Sequence, residues 1–291
     1  MCYSLPFYSA SSFVYLPTQN RKRMIGIFDS GVGGLSVWRE LIKLIPNAEY
    51  LYIADSGNCP YGPKPKEEVI ERCKAICNYL IDQKTDIIVI ACNTATAGAV
   101  STLRSIYTLP IVGMEPAVKP AALGTKTGVI GVLATNGTFK GNLYRDTRNR
   151  FAYNKRVIEE VGDGLVELVE SGKTDTDEAL ALLAKYINPM LRQNADQLVL
   201  GCTHYPFLIE PIKRLVGKRM KIVNPAPAVA MRTMNLLKNI DLLPDNNAKG
   251  KTIFCSTGDN LELVKTMADT ILKSLPDITK GYDAIYKNLQ I

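Results

Sequence analysis

The chain reads as an α/β protein: two pseudo-symmetric domains, each a mostly parallel sheet flanked by helices, with the active site in the cleft between them. Three observations predict this. Short β-branched runs lack polar alternation, as strands covered on both faces do. Longer stretches between them carry apolar residues at helical spacing, which supplies the covering layers. The pattern of the first part of the chain also recurs, loosely, in the second.

Taken in order, residues 24–28 form the first expected strand, which runs into the glycine-rich stretch Asp29-Ser-Gly-Val-Gly-Gly34 and a helix over 35–44. A strand is expected over 50–54, then a helix over 67–81. In that helix Val69, Ile70, Cys73, Ile76, Cys77 and Leu80 share one face, so its two cysteines read as small core hydrophobes. Further strands are expected over 86–91, 128–133, 197–200, 221–223 and 252–254, with helices over 164–171, 176–191 and 228–237. Parallel sheets of this kind take ligands at the carboxyl ends of their strands.

The repeat sets the domain organisation. Asp86 opens a run that ends in Ala91-Cys92, and Asp196 opens one that ends in Gly201-Cys202, each Asp six residues before its Cys. Upstream of them, Gly26-Ile-Phe-Asp-Ser-Gly31 and Val129-Ile-Gly-Val-Leu-Ala-Thr135 are both apolar strands passing into small polar residues. Prolines mark crossings at Leu109-Pro110 and at Asn224-Pro-Ala-Pro227. The chain is therefore expected to build residues 24–112, leave to build 113–224, and return for 225–291, with a ligand between the halves.

Composition limits the partners. At 291 residues and 46% hydrophobic content the chain can bury a large core. Its 35 basic and 28 acidic residues leave +7, spread along the chain with no like-charge block longer than Arg21-Lys22-Arg23. No nucleic-acid partner is expected from this. No membrane partner is expected either, because no apolar run approaches the roughly 20 residues that a span requires. Residues 1–23 place their positive charge after the aromatic part, the reverse of a secretory signal, and read as a poorly ordered extension, or as residues preceding a true start at Met24. Seven cysteines, an odd count without an export signal, point to reduced thiols and a cytoplasmic location. One histidine is too few for a structural zinc site, so no metal is expected. Gly31-Val-Gly33-Gly34 does not fit the dinucleotide fingerprint, which disfavours an NAD cofactor.

Either Cys92 or Cys202 alone reads most simply as an inert hydrophobe at a strand end. Their repeated context favours chemistry instead. Two opposed thiols suit inversion at a carbon, where one group removes a proton from one face and another delivers a proton to the opposite face. Cysteine fits at neutral pH because its reference pKa is about 8.5. His204, two residues after Cys202, can favour a thiolate when protonated or accept a proton when neutral. Asp29, at the end of the first strand, can reach a substrate ammonium or Cys92.

Four motifs carry a resemblance: Phe28-Asp-Ser-Gly-Val-Gly-Gly-Leu-Ser-Val37, Cys59-Pro-Tyr-Gly-Pro-Lys64, Ala91-Cys-Asn-Thr-Ala95 and Leu200-Gly-Cys-Thr-His-Tyr-Pro206. In this order they resemble the glutamate racemase family from about Met24 to the C-terminal region. The resemblance implies cofactor-independent interconversion of L- and D-glutamate, D-glutamate for peptidoglycan, and a homodimer. It implies that Cys92 and Cys202 are the acid/base pair, with Asp29 and His204 assisting. It also implies that Asp29, Ser30, Tyr61, Gly62, Asn93, Thr94, Thr203 and His204 bind substrate, with Glu170 approaching the site. Two stretches depart from the family pattern: Gly162-Asp-Gly164 stands where Ala-Cys-Pro is usual, and Asp55-Ser-Gly-Asn58 where Asp-Thr-Ala-Arg is usual. Aspartate and hydantoin racemases, which share paired cysteines, and a small-molecule binding protein of the same fold are the competing readings.

Overall fold

A computed structural model describes residues 23–245 and 248–291. The extension expected over residues 1–23 lies, apart from Arg23, outside the described residues. From Met24 the chain builds strand β1 (Met24–Asp29), helix α1 (Leu35–Leu44), β2 (Glu49–Ala54), α2 (Lys66–Asp82), β3 (Ile87–Ile90), α3 (Asn93–Ile106) and β4 (Ile111–Gly113). It continues through α4 (Val118–Gly124), β5 (Val129–Ala134), α5 (Asn136–Lys140), α6 (Asn142–Phe151), β6 (Arg156–Val161), α7 (Leu165–Glu170), α8 (Asp177–Arg192), β7 (Gln197–Gly201), α9 (Ile209–Val216) and β8 (Lys221–Val223). It ends with α10 (Ala226–Asn239), β9 (Lys251–Ser256), α11 (Leu261–Lys273), α12 (Pro276–Thr279) and β10 (Asp283–Asn288).

The strands form two sheets, one of order β10-β9-β2-β1-β3-β4 and one of order β6-β5-β7-β8. Every pairing is parallel. The stretch β2-β1-β3-β4 repeats as β6-β5-β7-β8, so the loose sequence repeat is a repeat of topology. In both sheets the central strand, β1 or β5, has its successor on one side and the strand after that on the other. Between them lies the point where strand order reverses and loops splay apart, the usual ligand crevice of open α/β sheets.

The paired aspartates of the repeat anchor the sheets instead of extending them. Asp86 lies just before β3, not inside it as the apolar run suggested; its Oδ2 accepts the Met24 N–H at 2.9 Å and its own N–H donates to Met24 O at 2.8 Å. Asp196 does the equivalent at β5, its N–H donating to Val129 O at 3.2 Å and its carboxylate accepting from Thr125 Oγ1 and the Lys126 N–H, both at 2.6 Å. Burial would raise the Asp196 carboxyl's pKa, but the hydrogen bonds from Thr125, Lys126 and Thr127 together outweigh it and hold it below the usual range.

Three strands lack the apolar runs by which the others are recognised. β6 is a half-exposed edge strand carrying Arg156, Glu159 and Glu160; β10 is the other sheet's exposed edge; β4 has only three residues. Sequence alone passes over β6 and β10 because only burial on both faces demands an unbroken apolar run, and over β4, which is buried, because three residues make too short a run.

The core runs without a break from α1 under the first sheet to the inner faces of α7, α8 and β7. Its densest part is aromatic: Trp38 meets Phe254 edge-on with centroids 4.9 Å apart, and Phe254 stacks on Tyr286 at 5.1 Å. Trp38 Nε1–H donates to Thr252 Oγ1 at 3.0 Å, which satisfies the indole inside the core. Helix α10, after the chain returns from β8, packs on α1. Phe254→Ala removes the ring shared by both contacts; we expect a loss of about 3–5 kcal/mol, read as a lower urea midpoint with unchanged slope.

Candidate active site

The two repeated strands place their cysteines at equivalent ends. Cys92 follows β3 after one residue, Ala91, and caps α3, its Sγ accepting the Ala95 N–H at 3.4 Å. Cys202 directly follows β7. Both line one small cavity between the sheets. Ser30, Tyr61, Gly62, Asn93 and Thr94 line it from the first sheet's side; Thr203 and His204 line it from the second. Asn93 Oδ1 is buried there without a hydrogen-bond partner among the described residues.

Two of the expected site residues do not line this cavity. Asp29, fully buried at the end of β1, lies beneath it; its carboxylate accepts from Ser30 Oγ at 3.0 Å and from Thr203 Oγ1 at 2.8 Å. Its link to Cys92 is indirect, since the thiol donates to Ser30 Oγ at 3.8 Å. Burial raises the Asp29 carboxyl's pKa, opposed by the His204 charge and by the two hydroxyl hydrogen bonds. Burial likewise pushes the Cys92 thiol upward, and the Asp29 charge adds to the effect, so Cys92 is held as a protonated thiol.

Glu170 reaches the site from a neighbouring open cavity, through His204. His204 Nε2–H donates to Glu170 Oε1 at 2.6 Å, while its Nδ1 lies 3.6 Å from Cys202 Sγ. Burial alone would lower the imidazole's pKa; hydrogen bonds with Cys202, Cys59 and Glu170 outweigh it and raise the value well above the ordinary one. The carboxylate is held further by the Val32 N–H at 2.7 Å and by Asn260 Nδ2 at 2.9 Å.

These contacts explain the glycines of the first turn. None of Gly31, Gly33 and Gly34 has a positive φ, so the backbone itself does not require glycine there. A Cβ at Gly33 would overlap the His204 ring, and one at Gly31 would overlap the Glu170 carboxylate. Glycine is needed so that side chains from the other half can dock.

The Tyr61 wall of the cavity rests on a buried carboxylate. Asp55, with no side-chain exposure, accepts from Tyr61 OH at 2.5 Å, Thr257 Oγ1 at 2.7 Å, and Arg72 Nη2 and Nε at 2.7 and 2.8 Å. Burial would raise its pKa, but the Arg72 and Tyr61 hydrogen bonds outweigh it and hold the carboxyl low. Asn58 stands where the resembled pattern has arginine, and Arg72 supplies a guanidinium here from α2 instead.

Three further lining residues have little or no signal in the sequence. Pro60 lies within the Cys59-Pro-Tyr-Gly motif, and Thr135 ends the run that repeats the first strand. Thr135 Oγ1 lies 2.8 Å from Thr94 Oγ1, a hydroxyl contact between the halves. Val166 is one apolar residue among many in α7 and has no signal that distinguishes it.

Two sheets of matching topology, each ending a strand in a thiol at one cavity, describe a two-lobed α/β enzyme with its site at the crevice. A family model described as Asp/Glu/Hydantoin racemase matches residues 33–233, and the chain belongs to that family. Among curated relatives, a glutamate racemase of Ectopseudomonas mendocina is 48% identical over 81% of this chain and 89% of its own length. One from Herpetosiphon aurantiacus is 42% identical over 83% of this chain and 95% of its own. Among solved structures, Escherichia coli glutamate racemase in complex with L-glutamate and the activator UDP-MurNAc-ala is similar with a TM-score of 0.76 and 31% identity, covering 93% of this chain and 100% of that one.

Replacing Arg72 by Met leaves the Asp55 carboxylate buried without its cation. The expected cost is on the order of 3 kcal/mol at pH 7. Because the folded-state pKa of Asp55 is depressed, its contribution is present above the unfolded value of about 3.9 and is lost as pH falls through the folded one. Without Arg72, burial raises the folded-state pKa, so the penalty of Arg72→Met should be largest near pH 7 and shrink as pH falls toward 3, measured as urea midpoints of variant and parent across that range.

Proposed function

We propose that this chain interconverts L- and D-glutamate by a two-base transfer between Cys92 and Cys202, without a cofactor. The observation that carries this reading is that topologically equivalent thiols from two sheets line one small cavity. The curated relatives at 42–48% identity, all glutamate racemases, favour glutamate over aspartate or a hydantoin. The reading extends to D-glutamate supply for peptidoglycan, in the cytoplasm, by a homodimer. Among the described residues, no helix is long and apolar enough to cross a membrane.

In this mechanism one cysteine, as thiolate, removes the α-proton, and the opposite thiol delivers its own proton to the other face. The roles exchange in the reverse direction. Cys92, held protonated by burial and by Asp29, is the donor in the resting arrangement. His204, 3.6 Å from Cys202 Sγ, takes and returns that sulfur's proton, with Glu170 fixing the ring. Charge growing on the substrate's α-carboxylate is met by the amino end of α3 and by the Ser30, Thr94 and Thr203 hydroxyls. Tyr61 and Gly62 close the wall beside it. The unpartnered Asn93 Oδ1 suits the substrate ammonium as an acceptor. Asp29 acts from beneath, through Ser30 and Thr203.

Incubation with L- or D-glutamate in deuterium oxide tests the reading. We expect the product enantiomer to carry α-deuterium from the first turnovers while remaining substrate stays protonated, because acceptor and donor are different groups. Equal early labelling of both would point to a single base, and no labelling would overturn racemisation. Parallel assays with aspartate and hydantoins separate the substrates. Cys92→Ser and Cys202→Ser should each abolish turnover, a loss of at least about 10³-fold, with unchanged circular dichroism. Near-normal turnover in either variant would remove that cysteine from the mechanism.

A further inference from the structure

One sulfur near the site has no part in the proton transfer. Cys59, half-buried at the start of the Pro60-Tyr61-Gly62 wall, has its Sγ grouped with a Glu170 carboxylate oxygen and a His204 ring nitrogen, all within 4.8 Å of one another. A tetrahedral zinc ion with bonds of 2.0–2.3 Å needs donors about 3.5 Å apart. The three atoms already lie within 4.8 Å of one another, close enough for side-chain torsions to bring them to that spacing. Thiolate, imidazole and carboxylate together suit a borderline cation such as zinc and suit magnesium or calcium poorly.

The surroundings supply an entry path and outer support. Cys59 and Glu170 line the open neighbouring cavity, whose wall also carries Glu167 and Asp259, so the approach is acidic. Asn260 Nδ2 and the Val32 N–H hold the Glu170 carboxylate, and Cys202 Sγ faces His204 Nδ1. Outer contacts of this kind orient ligands at metal sites. The count of one histidine argued against a structural zinc site with four protein ligands. A three-ligand site completed by water escapes that argument.

We propose that Cys59 Sγ, His204 Nε2 and one Glu170 carboxylate oxygen form an inhibitory site for a single divalent cation of the zinc class. On binding, the Cys59 S–H and His204 Nε2–H protons pass to solvent, three metal–ligand bonds form, and a water molecule takes the fourth position. The His204–Glu170 hydrogen bond is given up. Inhibition rests on the racemase reading, since it removes the pair that serves Cys202, whereas binding does not depend on it.

The test uses the whole chain with Co²⁺ as a spectroscopic probe and Zn²⁺ as inhibitor. One equivalent of Co²⁺ should produce a thiolate-to-cobalt charge-transfer band in the near ultraviolet. That band should persist in Cys92→Ser and Cys202→Ser and be absent from Cys59→Ser and Cys59→Ala, with circular dichroism checking that each variant is folded. Zn²⁺ should inhibit glutamate racemisation reversibly, with recovery on adding EDTA, and Cys59→Ser should need at least about tenfold more, the loss that follows removal of even an outer partner of a metal site. A band retained without Cys59, or lost without Cys92 or Cys202, would place the ion on other thiols and overturn the proposal. So would the absence of any band in the parent. A Cys59-dependent band with no inhibition of an active enzyme would overturn the inhibitory role. Failure of the racemase reading itself would appear separately, as absent deuterium exchange in metal-free protein.

Discussion

The pair of buried His204 and half-buried Glu170, 2.6 Å apart and seated on a turn whose glycines offer no side chains, ties the two halves together. Burying two charges costs several kcal/mol per ion, and attraction offsets this only when their other hydrogen-bonding capacity is used. Here it is used: Glu170 takes the Val32 N–H and Asn260, and His204 faces Cys202. A second tie runs from Thr203 Oγ1 to Asp29 Oδ2, and a third from Ser36 Oγ to Thr203 O at 2.9 Å. The Cys202 loop is therefore held to the first half by the same groups that surround its sulfur.

The matched topology does not make the two thiols equivalent. Cys92 connects through Ser30 to a buried carboxylate, and Cys202 lies against an imidazole that is paired with a carboxylate. Negative charge lies beneath one sulfur and an imidazole beside the other, so the two thiols stand in different electrostatic surroundings. Each sulfur is backed by its own set of hydrogen-bonding groups, and Thr203, beside Cys202 in the chain, joins the Cys92 set by donating to Asp29.

Much of the site is legible in the sequence because it lies at the ends of apolar runs. Cys92, Asn93 and Thr94 follow one such run, Cys202, Thr203 and His204 another, and Asp29 and Ser30 a third. Periodicity and residue type within a short window suffice to place these at the carboxyl edges of parallel strands. The edge strands β6 and β10 are not legible in this way, since half-exposed strands tolerate Arg156, Glu159 and Lys287. Arg72 is equally hidden, one cation on a helix face until folding brings it against Asp55.

By itself the sequence determined the α/β class, the repeat, the buried strands and the pair of cysteines, because each follows from local patterns of apolar and small residues. Only the tertiary structure decided which groups touch the cavity and which stand behind it. Asp29 is linked to the cavity wall through hydroxyls, Glu170 through the imidazole, and Cys59 joins both of the latter from a loop more than a hundred residues away in the chain. Distances of this kind depend on how two twisted sheets pack across their crevice, and on glycines that let the halves come close, which no short window of sequence contains.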